Sequence, residues 1–235
     1  MDYKYLPWDS EFFDRKTGII LPPVLDTNHL ASLLSEMRTA GYILVYWSAD
    51  RICDSDLDPL GGKLVDKKTT FGIDLEKVDL KKIPPPNTQP FTSGMPISRL
   101  EDLALASGEY SRFTVDPKFS YREFASLYRT WMQKSISGEL ADDILVITHE
   151  NEIAGMVTLS EKDQVGSIGL IAVDANFRGK KYGQQLVYDA LRWFLGKGCR
   201  AAQVVTQGDN LPACKLYKKC GYDVLSTTFY YHFWL

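Results

Sequence analysis

Apolar residues recur along this chain with two periods, and the periods mark its elements. Within residues 28–40, Leu30, Leu33, Leu34 and Met37 fall on one face of a helical repeat that stops at Gly41, and the apolar run 42–47 after it predicts a buried strand. In the second half, residues 144–148 and 153–159 are β-branched runs joined through His149, Glu150, Asn151 and Glu152, the pattern of a hairpin, and residues 167–173 extend them into a meander. Helical spacing returns at 182–195, where Leu186, Val187, Ala190, Leu191 and Phe194 share a face and Gly196 and Gly198 lie past the end. A short strand at 201–206, a helix at 211–220 ending at Gly221, and two aromatic-rich closing strands at 222–225 and 228–234 complete the pattern.

Polar punctuation adds the boundaries. Ser98 with Glu101, and Ser120 with Glu123, match the capping box, which predicts helices over 99–107 and 121–135. Pro84, Pro85, Pro86, Pro90 and Pro96, with Gly94, remove backbone donors and disfavour helix, so residues 83–96 read as a linker. The chain then divides into a small α/β domain over 1–95 and a second domain over 96–235 with the order ααβββαβαββ.

Composition changes the picture only by exclusion. Apolar residues at 45% and charged residues at 24% are globular values. Lys plus Arg number 27 against 30 acidic residues, a net charge of -3, which gives no basic footprint for nucleic acid. Cys53, Cys199, Cys214 and Cys220 form no CxxC pair, and the three histidines have no metal-ligand spacing, so a reducing cytoplasm without structural zinc is expected. The N-terminal stretch lacks a signal-peptide pattern and no apolar run is long enough to span a bilayer, so no membrane partner is expected.

Two segments carry candidate chemistry. In the first, a strand through Ile171, Ala172 and Val173 passes by way of Arg178, Gly179, Lys180, Lys181, Tyr182 and Gly183 into the amphipathic helix. Unpaired amides at a helix start, the helix dipole, close glycine approach and three cations suit a diphosphate there, although the same residues can form an ordinary solvated turn. In the second, Asn210 is a good N-cap, and Ala213 and Tyr217 lie four apart on one helix face, which sets a phenol beside a slot. Such a phenol can protonate a departing thiolate, or it can simply be a core tyrosine.

Together and in this order, the segments resemble the two acyl-CoA-binding motifs of the GNAT superfamily, R/Q-x-x-G-x-G/A and N-x-x-A-x-x-L-Y-x-x-x-G-F/Y; Lys181 stands where the first motif has its middle glycine. The resemblance implies a GNAT fold, an α/β (α+β) class with a mixed twisted central sheet flanked by helices, and acetyl-CoA as cosubstrate. It further implies that Arg178 to Gly183 bind pyrophosphate, that Ile171 and Val173 pair with pantetheine, that Asn210 contacts the cofactor, and that Tyr217 is the general acid in direct attack by an amine. Glu109, Asp116, Glu161, Asp163 and His232 are candidate bases, and for His232 a satisfied sheet histidine is the stronger reading.

The opening Trp8 to Phe13, the segment Ser111, Arg112 and Phe113 before a helix bearing Tyr128 and Trp131, and the aromatic last strand are similar to the bacterial dTDP-fucosamine acetyltransferases; Asp14 departs from that pattern. This implies a nucleotide-linked amino-dideoxy sugar as acceptor, in polysaccharide biosynthesis. Arg112 and Phe113, with Lys118, Arg122 and Phe119 as further candidates, would contact it. Another amine acceptor (a protein N-terminus, a polyamine, an antibiotic), a non-catalytic acyl-CoA-binding role, and a homodimer remain open at this point.

Overall fold

Strand alternation, more than helix content, decides where everything sits. In the computed structural model, which describes residues 2–54 and 56–235, the first part of the chain supplies β1 (Tyr3–Tyr5), α1 (Pro7–Phe12), β2 (Thr17–Ile20), α2 (Thr27–Thr39), β3 (Leu44–Ala49) and β4 (Gly62–Asp74). After a short β5 (Gln89–Pro90) come α3 (Ile97–Ser107), α4 (Arg112–Val115), α5 (Tyr121–Ile136), β6 (Asp143–His149), β7 (Glu152–Lys162) and β8 (Val165–Val173). The chain closes with α6 (Tyr182–Gly196), β9 (Ala201–Gln207), α7 (Leu211–Lys219) and β10 (Asp223–Trp234).

All these strands share one mixed sheet in the order β1-β2-β3-β10-β4-β9-β8-β7-β6-β5. Among the described residues, only β2 with β3 and β8 with β9 run parallel. The last strand lies between β3 and β4, so strands from before and after Pro96 interleave.

Successive side chains point to opposite faces of a strand, and each face has its own helices. Leu145 and Ile147 pack under α6 with Phe71, Leu186 and Phe194, whereas Ile144 and Val146 pack under α3 and α5 with Leu103, Tyr128 and Met132. On the N-terminal side, Val45, Trp47 and Phe233 meet Leu30, Leu34 and Met37 of α2, and Leu44 and Tyr46 meet Phe13 and Phe119 on the reverse. That reverse face, shared by α1, α3, α4 and α5, also carries Arg112, which lies over the Tyr46 ring.

Several boundaries differ from the sequence expectations. The Ser120 capping box forms with both reciprocal bonds, but the Ser98 box does not: Pro96 takes the N-cap position, which puts Ser98 inside the first turn. The hairpin at Glu150 and Asn151 forms as a two-residue turn with both φ positive, as does a second at Asp163 and Gln164. The two closing strands are one, β10, bent by a bulge at Leu225 rather than broken, and a second bulge lies on its partner β4 at Val65.

The proline-rich stretch is a strap, not a free linker. Its carbonyls at Ile83 and Pro84 accept from Arg192 and that at Pro85 accepts from Gln185, while the Asn87 amide donates to the buried Asp189, all on α6. Proline removes backbone donors, so the carbonyls of Ile83, Pro84 and Pro85 are left to partners outside the segment. No helix among the described residues is long and apolar enough to cross a membrane.

Candidate active site

The site begins where two strands separate. Pairing of β8 with β9 runs from Val165 opposite Ala201 to Ile168 opposite Val204 and stops. Beyond it, Gly169 to Val173 have a neighbour only on the β7 side among the described residues. β8 bulges at Gly169 and Leu170 opposite Thr158 of β7, whose hydroxyl accepts from the Leu170 amide at 2.7 Å, while the Asp174 amide donates to the Ala154 carbonyl at 2.9 Å. Backbone groups alternate sides along a strand, so the amides of Ile171 and Val173 point the other way, into the opening.

At the end of that opening sits the start of α6. Among the described residues no side chain caps it. The first intrahelical bond runs from the Gln185 amide to the Lys181 carbonyl, which leaves the amides of Tyr182, Gly183 and Gln184 unpaired at the positive end of the dipole. The approach loop is fixed at several points. Asp174 accepts from the Asn176 amide, which, followed by its 2.8 Å pair with Arg99, holds its carboxyl below the usual range. Tyr182 bonds His149 at 2.8 Å, and His149 packs edge-on against Phe177.

Gly179 at φ 81 and Lys181 at φ 64 both use the left-handed region. Lysine tolerates it at a cost of roughly 1–2 kcal/mol. Lys181→Gly is accordingly expected to melt no lower than the parent protein, because the relieved strain offsets the extra unfolded-state freedom, and Lys181→Val is expected to lose about 2 kcal/mol. Thermal melting of the pair checks this; equal stability would mean that the loop relaxes around any side chain.

The opposite wall is α7. Asn210 caps it by accepting from the Ala213 amide at 3.1 Å, so its side-chain oxygen is committed to the helix and its side-chain NH₂ remains for another partner. Tyr217 is 2% exposed, rests on Phe71 and Tyr222, and has its phenol pKa raised strongly by burial. It is a protonated donor at any physiological pH. Cys214 sits between these positions and bonds the Gln207 carbonyl, and burial raises its thiol; Cys220 is pushed up to about 12 by burial. Neither is poised as a nucleophile.

These walls enclose one cleft of about 880 Å³. Ile171, Ala172, Val173, Arg178, Gly179, Lys181, Tyr182, Gly183, Asn210, Ala213 and Tyr217 all line it. Lys180 does not; it is exposed on the outside of the loop. Arg178 reaches across toward Glu109 at 3.9 Å. Beyond that pair the cleft continues past Tyr110, Tyr128, Trp131 and Lys68.

Arg112 and Phe113 lie outside the lining, and Arg112 is not in a loop: it begins the four-residue α4, capped by Ser111. Its guanidinium stacks over Tyr46, Phe113 and Tyr230 at 4.3, 4.7 and 5.1 Å, with no carboxylate at ion-pair distance among the described residues. Phe113 packs between Phe13 and Phe119, so the Trp8 to Phe13 segment and the Ser111 segment, distant in sequence, meet in one aromatic cluster.

Of the candidate bases, His232 is fully buried, with burial pushing its pKa down to about 4, and its Nδ1 lies 2.7 Å from Asp116. Burial alone would raise the Asp116 carboxyl, but His232, Trp234 and the Lys118 amide hold it below the usual range. That pair is locked. Glu161 accepts from the Gln164 amide at the far hairpin that also contains Asp163, and neither lines the cleft. Sequence reasoning misses β4 and, with it, Asp66 and Lys68. Burial pushes the Asp66 carboxyl up to about 7 even though Arg112 and Lys68 pull it down.

The chain is similar to several known proteins. A profile of the acetyltransferase (GNAT) family matches residues 108–222. The spore coat polysaccharide biosynthesis protein SpsD of Bacillus subtilis is 27% identical over 133 residues, 57% of this chain and 46% of that protein. The dTDP-fucosamine acetyltransferase of Escherichia coli is 29% identical over 136 residues, 57% of this chain and 58% of that protein. The matched region thus spans about half the length of these curated relatives. Among solved structures, a conserved protein of unknown function from Staphylococcus epidermidis superposes with a TM-score of 0.68 at 15% identity, over 92% of this chain and 84% of its own. A GCN5-related N-acetyltransferase from Sphaerobacter thermophilus superposes with a TM-score of 0.60 at 16% identity, over 98% and 75%. At such identities the superpositions speak for the fold alone.

Proposed function

Because residues 108–222 form an acetyltransferase domain of the GNAT family, we propose that the chain transfers an acetyl group from acetyl-CoA to the amine of a nucleotide-linked amino-deoxy sugar. The observation that carries the reading is the convergence in one cleft of the unpaired α6 amides, the splayed β8 edge and the Tyr217 phenol.

Each part has a distinct task. The amides of Tyr182 to Gln184, with Arg178 beside them, suit a pyrophosphate. Ile171 and Val173 offer a free strand edge, to which a pantetheine arm with its two amides can pair as an added strand. One of those edge amides also suits the oxyanion of a tetrahedral intermediate. The thioester supplies an activated acyl carbon; the amine nitrogen bonds to it, the C–S bond breaks, and Tyr217 gives its proton to the sulfur. With Cys214 and Cys220 engaged or buried, direct transfer is favoured over an acyl-enzyme.

The acceptor reading rests on the names of the relatives, one a dTDP-sugar acetyltransferase and one a polysaccharide biosynthesis protein. It is also supported by Arg112, a guanidinium framed by aromatic rings with no carboxylate at ion-pair distance among the described residues, which suits a diphosphate next to a stacked base. Four free thiols fit a reducing cytoplasm, where nucleotide sugars are made.

Purified protein is expected to release CoA thiol from acetyl-CoA when a dTDP-4-amino-dideoxyhexose is added, and not with polyamines, peptides or aminoglycosides at equal concentration. Faster turnover with one of those amines would overturn the sugar assignment. A calorimetric titration that shows no acetyl-CoA binding would overturn the transferase reading altogether.

A further inference from the structure

Direct transfer needs a group that takes the proton released by the amine; of the candidates read from the sequence only Glu109 lines the cleft, exposed and facing Arg178 at 3.9 Å. We propose that Asp66, on the strand β4 contributed by the first part of the chain, is that proton acceptor; the proposal rests on the transferase reading.

Position comes first. Asp66 lies opposite Tyr230 across the sheet and two residues before Lys68, so its side chain shares a face with Lys68, which lines the cleft. Tyr128 of α5 lines the same stretch of the cleft and is close enough to Asp66 for the two charges to interact. This is the end of the cleft away from the α6 amides; Asp66 itself stands outside the lining, two residues along the strand from Lys68.

The second argument is that the carboxyl is uncommitted. Its Oδ1 is buried with no hydrogen-bond partner, and no Lys or Arg lies at ion-pair distance among the described residues. Of the other acidic groups nearby, Asp209 is paired with Lys67 at 2.9 Å and Asp116 accepts from His232, Trp234 and a backbone amide, whereas Glu109 is exposed and meets Arg178 only at 3.9 Å. A buried carboxyl oxygen with nothing to bond costs stability, and such atoms in native proteins concentrate where a ligand or a reaction uses them.

The charges facing Asp66 then tune it. Arg112 from α4 and Lys68 from its own strand lower its pKa, Asp209 raises it, Tyr128 and Tyr230 present rings, and burial outweighs the rest to give about 7. A base of that strength is half ionised near neutral pH and strong enough to take a proton as the N–C bond forms. The balance closes: the amine proton goes to Asp66, the Tyr217 proton goes to the leaving sulfur, and both side chains return to their resting states by exchange with water.

Asp66→Asn is nearly isosteric and tests this. In the wild type, kcat/KM for the amino sugar is expected to rise with pH along a limb centred near 7; in the variant the limb should vanish and turnover at pH 7.5 fall at least 100-fold. Acetyl-CoA affinity by calorimetry should stay within about twofold. An unchanged limb with turnover within threefold of wild type would overturn the proposal. So would a loss confined to KM with the limb intact, which would make Asp66 a binding group for the ammonium form. If the wild type itself turns over no amine, the transferase reading fails first and this one with it.

A readout independent of activity follows from the sign of the shift. The folded carboxyl titrates above its unfolded value of 3.8, so the stability it contributes is full below that value and is lost as pH rises through about 7. Asp66→Asn is therefore expected to melt above the wild type at pH 8 and level with it near pH 4. A variant less stable at pH 8 would mean that the carboxylate is a structural partner of Arg112, and would overturn the proposal.

Discussion

Tyr217→Phe is expected to lower kcat by 100-fold or more while leaving acetyl-CoA affinity within about twofold. General-acid catalysis contributes typically ~10²–10⁴ in rate, and a phenol whose ionisation is suppressed by burial can only act as the donor. The variant isolates that proton. No group of the protein hydrogen-bonds the hydroxyl among the described residues, so its removal leaves no orphan behind, and the ring keeps its packing against Phe71 and Tyr222. Melting temperature should hardly move. Steady-state kinetics with a single-turnover measurement separates the outcomes, since a change in affinity with kcat preserved would make Tyr217 a packing residue.

The second large effect is expected from Gly183→Asp. A Cβ on Gly183 would meet Leu216 at 3.3 Å and Val173 at 3.9 Å, so the side chain fits with a small adjustment. Its carboxylate would then stand among the unpaired amides of the first turn. Two consequences have opposite sign. An acidic residue in the first turn stabilises a helix by about 0.5 kcal/mol, so the protein should melt no lower. The same charge repels a pyrophosphate and occupies its donors, so acetyl-CoA affinity should fall on the order of 100-fold. Lys180→Ala, on the outer side of the loop, should change affinity by less than about threefold. Unaltered affinity in Gly183→Asp would put the diphosphate somewhere other than the start of α6.

Tyr217 and Gly183 both stand out in the amino-acid sequence by itself, and the reason is locality. Asn210, Ala213 and Tyr217 occupy about two turns of helix, and Arg178 to Gly183 one loop, so spacing alone nearly determines their relative placement. What distant segments build together leaves no such trace. Strand β4 is hidden because Lys63, Asp66, Lys67 and Lys68 interrupt the alternation by which strands are found, with Lys67 on the face opposite Asp66 and Lys68. A residue placed for chemistry erases the signal of the element that carries it. Helix α4 is only four residues long, too short for any periodicity, so Arg112 reads as loop. The proline run reads as a break in regular structure, which it is, and as slack, which it is not, because its anchoring depends on Arg192, Gln185 and Asp189 a hundred residues away.

The insertion of β10 between β3 and β4 bears on how the molecule is made. During synthesis β3 and β4 leave the ribosome long before β10, the strand that pairs with both of them. Contacts so far apart in sequence close slowly, and unpaired strand edges are what other chains capture. The nascent protein therefore passes through a long interval in which its middle is missing. Its yield should depend on chaperones that shield that gap, and its two halves should melt together once β10 has locked them.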